Sequence, residues 1–173
     1  ASDVYKRQEE PIENGMHIIG SHIDSPRLDL KPNPLYEDTE LAYFKTHYYG
    51  GIKKYQWTTI PLSIHGVIVK TNGEKIELNI GEKETDPIFT ITDLLPHLAD
   101  EQMNKKLKNG IDGEDLKLLI GSIPYTEENM KEKISEKVKL NILNILNQKY
   151  GITERDLTSA EIELVPAFKA RSL

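Results

Sequence analysis

Cysteine is absent from this 173-residue chain, which excludes a disulfide framework and a thiolate-bound zinc, so any metal is left to His, Asp and Glu. Long apolar runs are also missing. None approaches the roughly 18 residues needed to cross a bilayer, and the start has no apolar signal core. The expected location is cytoplasmic, with no membrane partner. Positive charge is in deficit, because 28 acids face 22 bases, and the net charge of -6 argues against a phosphate-binding surface and against a nucleic-acid partner. Repeats and low-complexity tracts are lacking. The remaining composition, 38% hydrophobic and 29% charged, is that of a soluble protein. The length suits one domain, or one plus a fragment, and can bury roughly two-thirds of the unfolded surface.

The chemistry that is present gathers in residues 16–31, MHIIGSHIDSPRLDLK. Residues 16–21 form a short apolar run closing in Gly and Ser, the pattern of a buried parallel strand whose end opens into a loop. His22 is then expected at the strand tip, with Asp24 two residues on. Zinc binds a neutral imidazole in a fixed tautomer, and a carboxylate accepting the other ring N–H fixes it and raises its basicity. His22 is the candidate metal ligand and Asp24 the carboxylate that orients it. The bare H-x-D spacing equally suits a His hydrogen-bonded at a strand end and an Asp capping a turn. Ser25 lacks the surroundings of an activated nucleophile, and Pro26 turns the chain away.

Further along, residues 27–31 alternate as a half-buried strand that Pro32 and Pro34 are expected to stop. Residues 41–49 read as an aromatic strand, followed by Gly50-Gly51, either a simple turn or a close backbone approach. Lys53, Lys54 and Tyr55 read as a solvated face. Residues 58–70 and 74–80 form the clearest hairpin, with Asn72-Gly73 predicting a type I′ turn. His65 reads as a packed or hydrogen-bonded sheet residue. Thr92 or Asp93 could cap a short helix. Asp112-Gly113-Glu114-Asp115 lacks the ligand spacing of a calcium loop and reads as a solvated turn. Residues 127–150 are the strongest helix, opened after Thr126 and closed by Gly151, with Met130, Ile134, Val138, Ile142, Ile145, Leu146 and Tyr150 on one stripe. In the last strand, residues 159–167, Glu161 and Glu163 share one side, as paired carboxylates or a solvent face would.

Several runs occur in a telling order: GSHIDSPRLDLKP at 20–32, Tyr49-Gly50-Gly51 with Trp57 after it, IHGVIVK at 64–70, Leu95-Pro96-His97-Leu98-Ala99 and Glu163-Leu164-Val165-Pro166-Ala167. This series resembles the aspartyl aminopeptidase / aminopeptidase I family of zinc metallopeptidases, over most of the chain from about Gly15 to Arg171. The resemblance implies an α/β fold: the first strand of an α/β zinc-peptidase catalytic domain plus an inserted mixed α+β dimerisation domain. It carries the zinc-ligand role to His22 and the orienting role to Asp24.

The same resemblance implies a metalloaminopeptidase that releases N-terminal residues from peptides with two zinc ions, and a homo-oligomer built from dimers. The family's remaining functional groups (a bridging Asp, an adjacent Glu pair, a further Asp and a last His) fall downstream of residue 173. The expected domains are a non-native leader at 1–8, partial catalytic domain at 9–25, dimerisation domain at 26–168, and a truncated return toward the catalytic domain at 169–173. Asp100-Glu101-Gln102 stands where some members carry a His that reaches a partner's active site, and His97 is expected to be structural. The rival readings are another dinuclear zinc hydrolase, a carboxypeptidase or deacylase, and a non-catalytic dimerisation module.

Overall fold

The structure, a computed structural model, describes residues 11–15, 19–22, 25–126, 135–169 and 172. Seven strands form one sheet: β1 (Arg27–Asp38), β2 (Leu41–Tyr49), β3 (Leu62–Val69), β4 (Lys75–Ile80), β5 (Thr90–Ile91), β6 (Leu118–Gly121) and β7 (Ala160–Pro166). Their order is β4-β3-β7-β1-β2-β6-β5, and every pairing is antiparallel. Among the described residues two α-helices accompany them, the single turn α1 (Asp100–Met103) and the longer α2 (Lys137–Tyr150).

The last strand in sequence, β7, lies near the middle of the sheet. It pairs with β3 from Leu62↔Pro166 to Ile68↔Ala160, and with β1 through Leu28↔Leu164 and Asp29↔Glu163. Alternation drives this placement, since Ile162 and Leu164 are buried while Glu161 is exposed. Gly66 permits the close approach of β3 to β7: a Cβ there would collide with the Glu161 carbonyl and stand 2.7 Å from Ile162 Cα.

β1 does not stop at its prolines. The ladder with β2 jumps from Leu30↔Thr46 to Leu35↔Phe44, so that residues 31–34 bulge against Lys45 alone. Within the bulge Asn33 takes a positive φ of 52° and Pro34 is fully buried. Unpaired backbone is where a residue lacking an N–H does no harm, which is why the strand continues.

The β3–β4 hairpin forms as expected, with Val69↔Lys75 as its last pair, but its turn differs. Among its loop residues only Gly73 has positive φ, at 85°. Its N–H donates to the Lys70 carbonyl at 2.9 Å, and the Lys70 N–H donates to that of Glu74 at 2.9 Å. This is a three-residue loop ending in a left-handed glycine, and the Asn72 side chain accepts the Glu74 N–H at 3.0 Å. The two-residue loop with positive φ at both positions lies instead between β1 and β2, at Thr39 (47°) and Glu40 (60°), where Asp38 pairs with Leu41.

Helix α2 begins later than residue 127. Glu136 is left-handed, with φ 57°, and helical structure starts at Lys137; residues 127–134, with Met130 and Ile134 of the expected stripe, lie outside the described residues. The Glu37 carboxylate of β1 accepts the Lys139 N–H at 2.8 Å, meeting the positive end of the helix with a negative charge. Gly151 stops the helix with φ 63°, as its position predicts. Val138 is buried and Ile142, Leu146 and Tyr150 pack on the core, whereas Ile145 is exposed. No helix among the described residues is long and apolar enough to cross a membrane.

Candidate functional site

The candidate metal ligand precedes the sheet. His22 is exposed and lies outside any strand, as do residues 19–21, with Ile19 94% exposed. The buried strand expected over 16–21 is therefore not present at 19–21, while residues 16–18 lie outside the described residues. A buried parallel strand needs neighbours on both sides, and every described strand pairs only in the antiparallel sheet. Asp24, the expected orienting carboxylate, also lies outside the described residues.

From Pro26 onward the geometry is dense. Gly50, whose φ of 78° makes it the bend after β2, faces Pro26, since a Cβ added there would lie 3.7 Å from Pro26 Cα, in keeping with a simple turn at Gly50-Gly51. Arg27 then ties together three strands. Its Nε donates to Asp29 Oδ1 at 2.8 Å and lies 2.9 Å from Glu163 Oε1 of β7, and its guanidinium sits 4.3 Å above the Tyr49 ring of β2. The hydrogen bond to Asp29 raises the Arg27 pKa further above its ordinary value. Glu163 is thus an ion-pair partner, where the sequence offered paired carboxylates or a solvent face. The i, i+2 Arg-x-Asp spacing on a strand was the available signal, since such residues share one face.

The other imidazoles are placed as sheet chemistry suggests. His65 Nε2 lies 3.0 Å from Glu82 Oε1 and 3.2 Å from the Ser63 hydroxyl, so it is a hydrogen-bonded sheet residue. His97 is exposed in a short 3-10 turn, Pro96–Leu98. Asp93 does not cap that turn: its Oδ1 accepts the Leu94 N–H at 2.8 Å and the Gln102 side-chain amide at 2.9 Å, bracing α1. The acidic turn at Asp112 also has a partner, because Lys31 donates to Glu114 at 2.7 Å and holds its carboxyl below the ordinary range.

A zinc centre asks for three or four nitrogen or oxygen ligands converging on one point. Among the described residues no group of three or more His, Asp and Glu side chains could hold a metal ion. His22 is the single candidate ligand there, so the described residues do not by themselves fit a complete centre.

Comparison with known proteins supplies what the geometry leaves open. Residues 5–173 match the family described as aminopeptidase I zinc metalloprotease (M18). The chain is 59% identical over 162 residues to a probable M18 family aminopeptidase 1 of Clostridium acetobutylicum, covering 94% of this chain and 34% of that protein. Its identity to the Thermotoga maritima protein of the same name is 54% over 164 residues, covering 95% and 35%.

Among solved structures, an M18 aminopeptidase from Thermotoga maritima superposes with a TM-score of 0.80 at 57% identity, over 88% of this chain and 32% of that one. Aminopeptidase I from Clostridium acetobutylicum gives 0.78 at 55% identity, over 94% and 35%. The chain thus spans about a third of the length of the curated relatives it matches.

Proposed function

Because the chain belongs to the M18 family of aminopeptidase I zinc metalloproteases, we propose that it is part of a zinc-dependent aminopeptidase that releases N-terminal residues from peptides. The observation that carries this reading is the match of nearly the whole chain to that family, with relatives above 50% identity. In this proposal two zinc ions activate the attacking water, His22 is one of their ligands, and Asp24 orients its ring. The other ligands come from outside the described residues.

The domain reading is that residues 26–168 form a dimerisation unit inserted into a catalytic domain, with residues 9–25 and 169–173 on the catalytic side. Its support is topological: β1, the first strand, and β7, the last, pair side by side through Leu28↔Leu164 and Asp29↔Glu163. A unit inserted into another domain must begin and end at neighbouring points. The homo-oligomer built from dimers is supported by Leu94, Leu95, Leu98 and Met103, exposed and close in sequence, since neighbouring apolar exposure marks contact surfaces. The proposed location is the cytoplasm.

The test is the coding sequence that follows residue 173 in a clean genomic copy. An uninterrupted frame carrying an Asp and then an adjacent Glu pair is expected, and its product should release N-terminal residues from peptides in a zinc-dependent, His22-dependent way. A stop codon at that position would overturn the peptidase reading in favour of a non-catalytic dimerisation module.

A further inference from the structure

Net charge of one sign does not prevent the other sign from collecting locally. Lys53 and Lys54 follow β2, in and beside the 3-10 turn Lys54–Gln56, and Lys108 belongs to a second such turn, Leu107–Asn109, far along the chain. The fold brings them to one pocket of 400 Å³, lined also by Tyr48, Ile52, Tyr55 and Leu107. Among the described residues none of these three ammonium groups has a carboxylate partner, whereas Lys31, Lys70, Lys105, Lys139 and Lys169 each do. Lys54 instead lies 6.0 Å over the Tyr48 ring.

Three like charges on residues lining one concavity repel one another, and the concave wall focuses their field. A bound anion relieves that repulsion, and one carrying two or more charges relieves it better than a single carboxylate. Lysine binds phosphate as a point charge, and the charged residues of the lining are all lysine. The volume lies within the range of small-molecule sites and is too small for an extended polymer.

From this we infer that the pocket formed by Lys53, Lys54 and Lys108 is a binding site for a compact phosphoryl anion, either inorganic or the ester of a small molecule. The inference does not depend on the peptidase reading.

The experiment is calorimetric titration of the 173-residue chain with inorganic pyrophosphate, with phenyl phosphate, and with a tri-glutamate peptide as the carboxylate comparison. The two phosphoryl probes separate an inorganic ligand from an ester. A Lys53→Gln, Lys54→Gln, Lys108→Gln variant is compared with Lys75→Gln, Lys83→Gln, Lys149→Gln, which removes the same charge elsewhere. Pyrophosphate affinity is expected to fall at least about tenfold in the first and less than about twofold in the second, with Lys54→Arg retaining binding. The tri-glutamate peptide is expected to bind at least about tenfold more weakly. Absence of phosphoryl binding up to about 10 mM, equal losses in both triple variants, or tighter binding of the peptide would overturn the proposal.

Discussion

A Cβ added at Gly66 would meet backbone rather than a flexible side-chain end, because Glu161 and Ile162 of β7 lie directly opposite. Nothing there can yield without parting β3 from β7, so Gly66→Ala is expected to cost about 3 kcal/mol, read as a lower urea midpoint at unchanged slope. The opposite sign is expected at Glu40, held at φ 60° in the two-residue loop between β1 and β2. A left-handed residue with a Cβ is strained by about 1–2 kcal/mol, and glycine's greater freedom in the unfolded chain offsets part of that, so Glu40→Gly should raise stability by less than about 1 kcal/mol in the same measurement. Asp156 sets a pH dependence. It is buried, and its Oδ2 accepts the Thr153 hydroxyl at 2.6 Å and N–H at 2.9 Å, bonds that hold its pKa below the ordinary 3.8. A lowered folded pKa stabilises above the unfolded value and is lost as pH falls through the folded one. The wild-type urea midpoint should therefore fall as pH drops through and below the ordinary carboxylate range, and Asp156→Asn should flatten that limb.

Among the elements, those written in local chemistry are the ones the sequence announces. The β3–β4 hairpin is legible because alternation and Asn72-Gly73 act over neighbouring residues, and the Gly151 stop is legible because only glycine takes φ 63° there without strain. The turn type was not, since a type I′ and a three-residue loop ending in glycine use the same dipeptide. The turn at Thr39 and Glu40 carries neither Gly nor Asn, so its geometry is set by the flanking ladder alone. The passage of β1 through Pro32 and Pro34 depends on a bulge across from Lys45, and a partner strand is invisible to a local rule. The late start of α2 is of the same kind: nothing in the apolar stripe marks Glu136 as left-handed. The central position of β7 likewise arises from long-range pairing. It makes a prediction: Leu164, fully buried between two partner strands, should cost about 3 kcal/mol on truncation to Ala, whereas Leu98, 71% exposed, should change thermal stability by less than about 0.5 kcal/mol.

For the whole molecule, the ordered motifs made the family legible because they combine many weakly informative positions, while the site stayed partial because no group of three or more possible ligands gathers among the described residues. His22 could be picked out by its spacing to Asp24, yet the cluster that would give this spacing meaning is absent among the described residues. That has a measurable consequence for the chain as it stands. A ligand that binds only the folded form stabilises it by RT ln(1 + [L]/Kd), about 2.7 kcal/mol at a hundredfold excess over Kd, which in a chain of this size raises the melting midpoint by about 5–10 °C. A single exposed imidazole, equally available in the unfolded chain, offers no such preference. Zinc at about 0.1 mM, or EDTA in its place, is therefore expected to move the thermal midpoint of the 173-residue chain by less than about 1 °C. Peptide hydrolysis by this chain alone is expected to be negligible for the same reason, since one ligand cannot hold the two ions the proposed reaction uses. A rise of several degrees with zinc that disappears in His22→Ala would show that the chain assembles a fuller metal site than its described residues contain, and would move the proposed ligand set into residues 1–173.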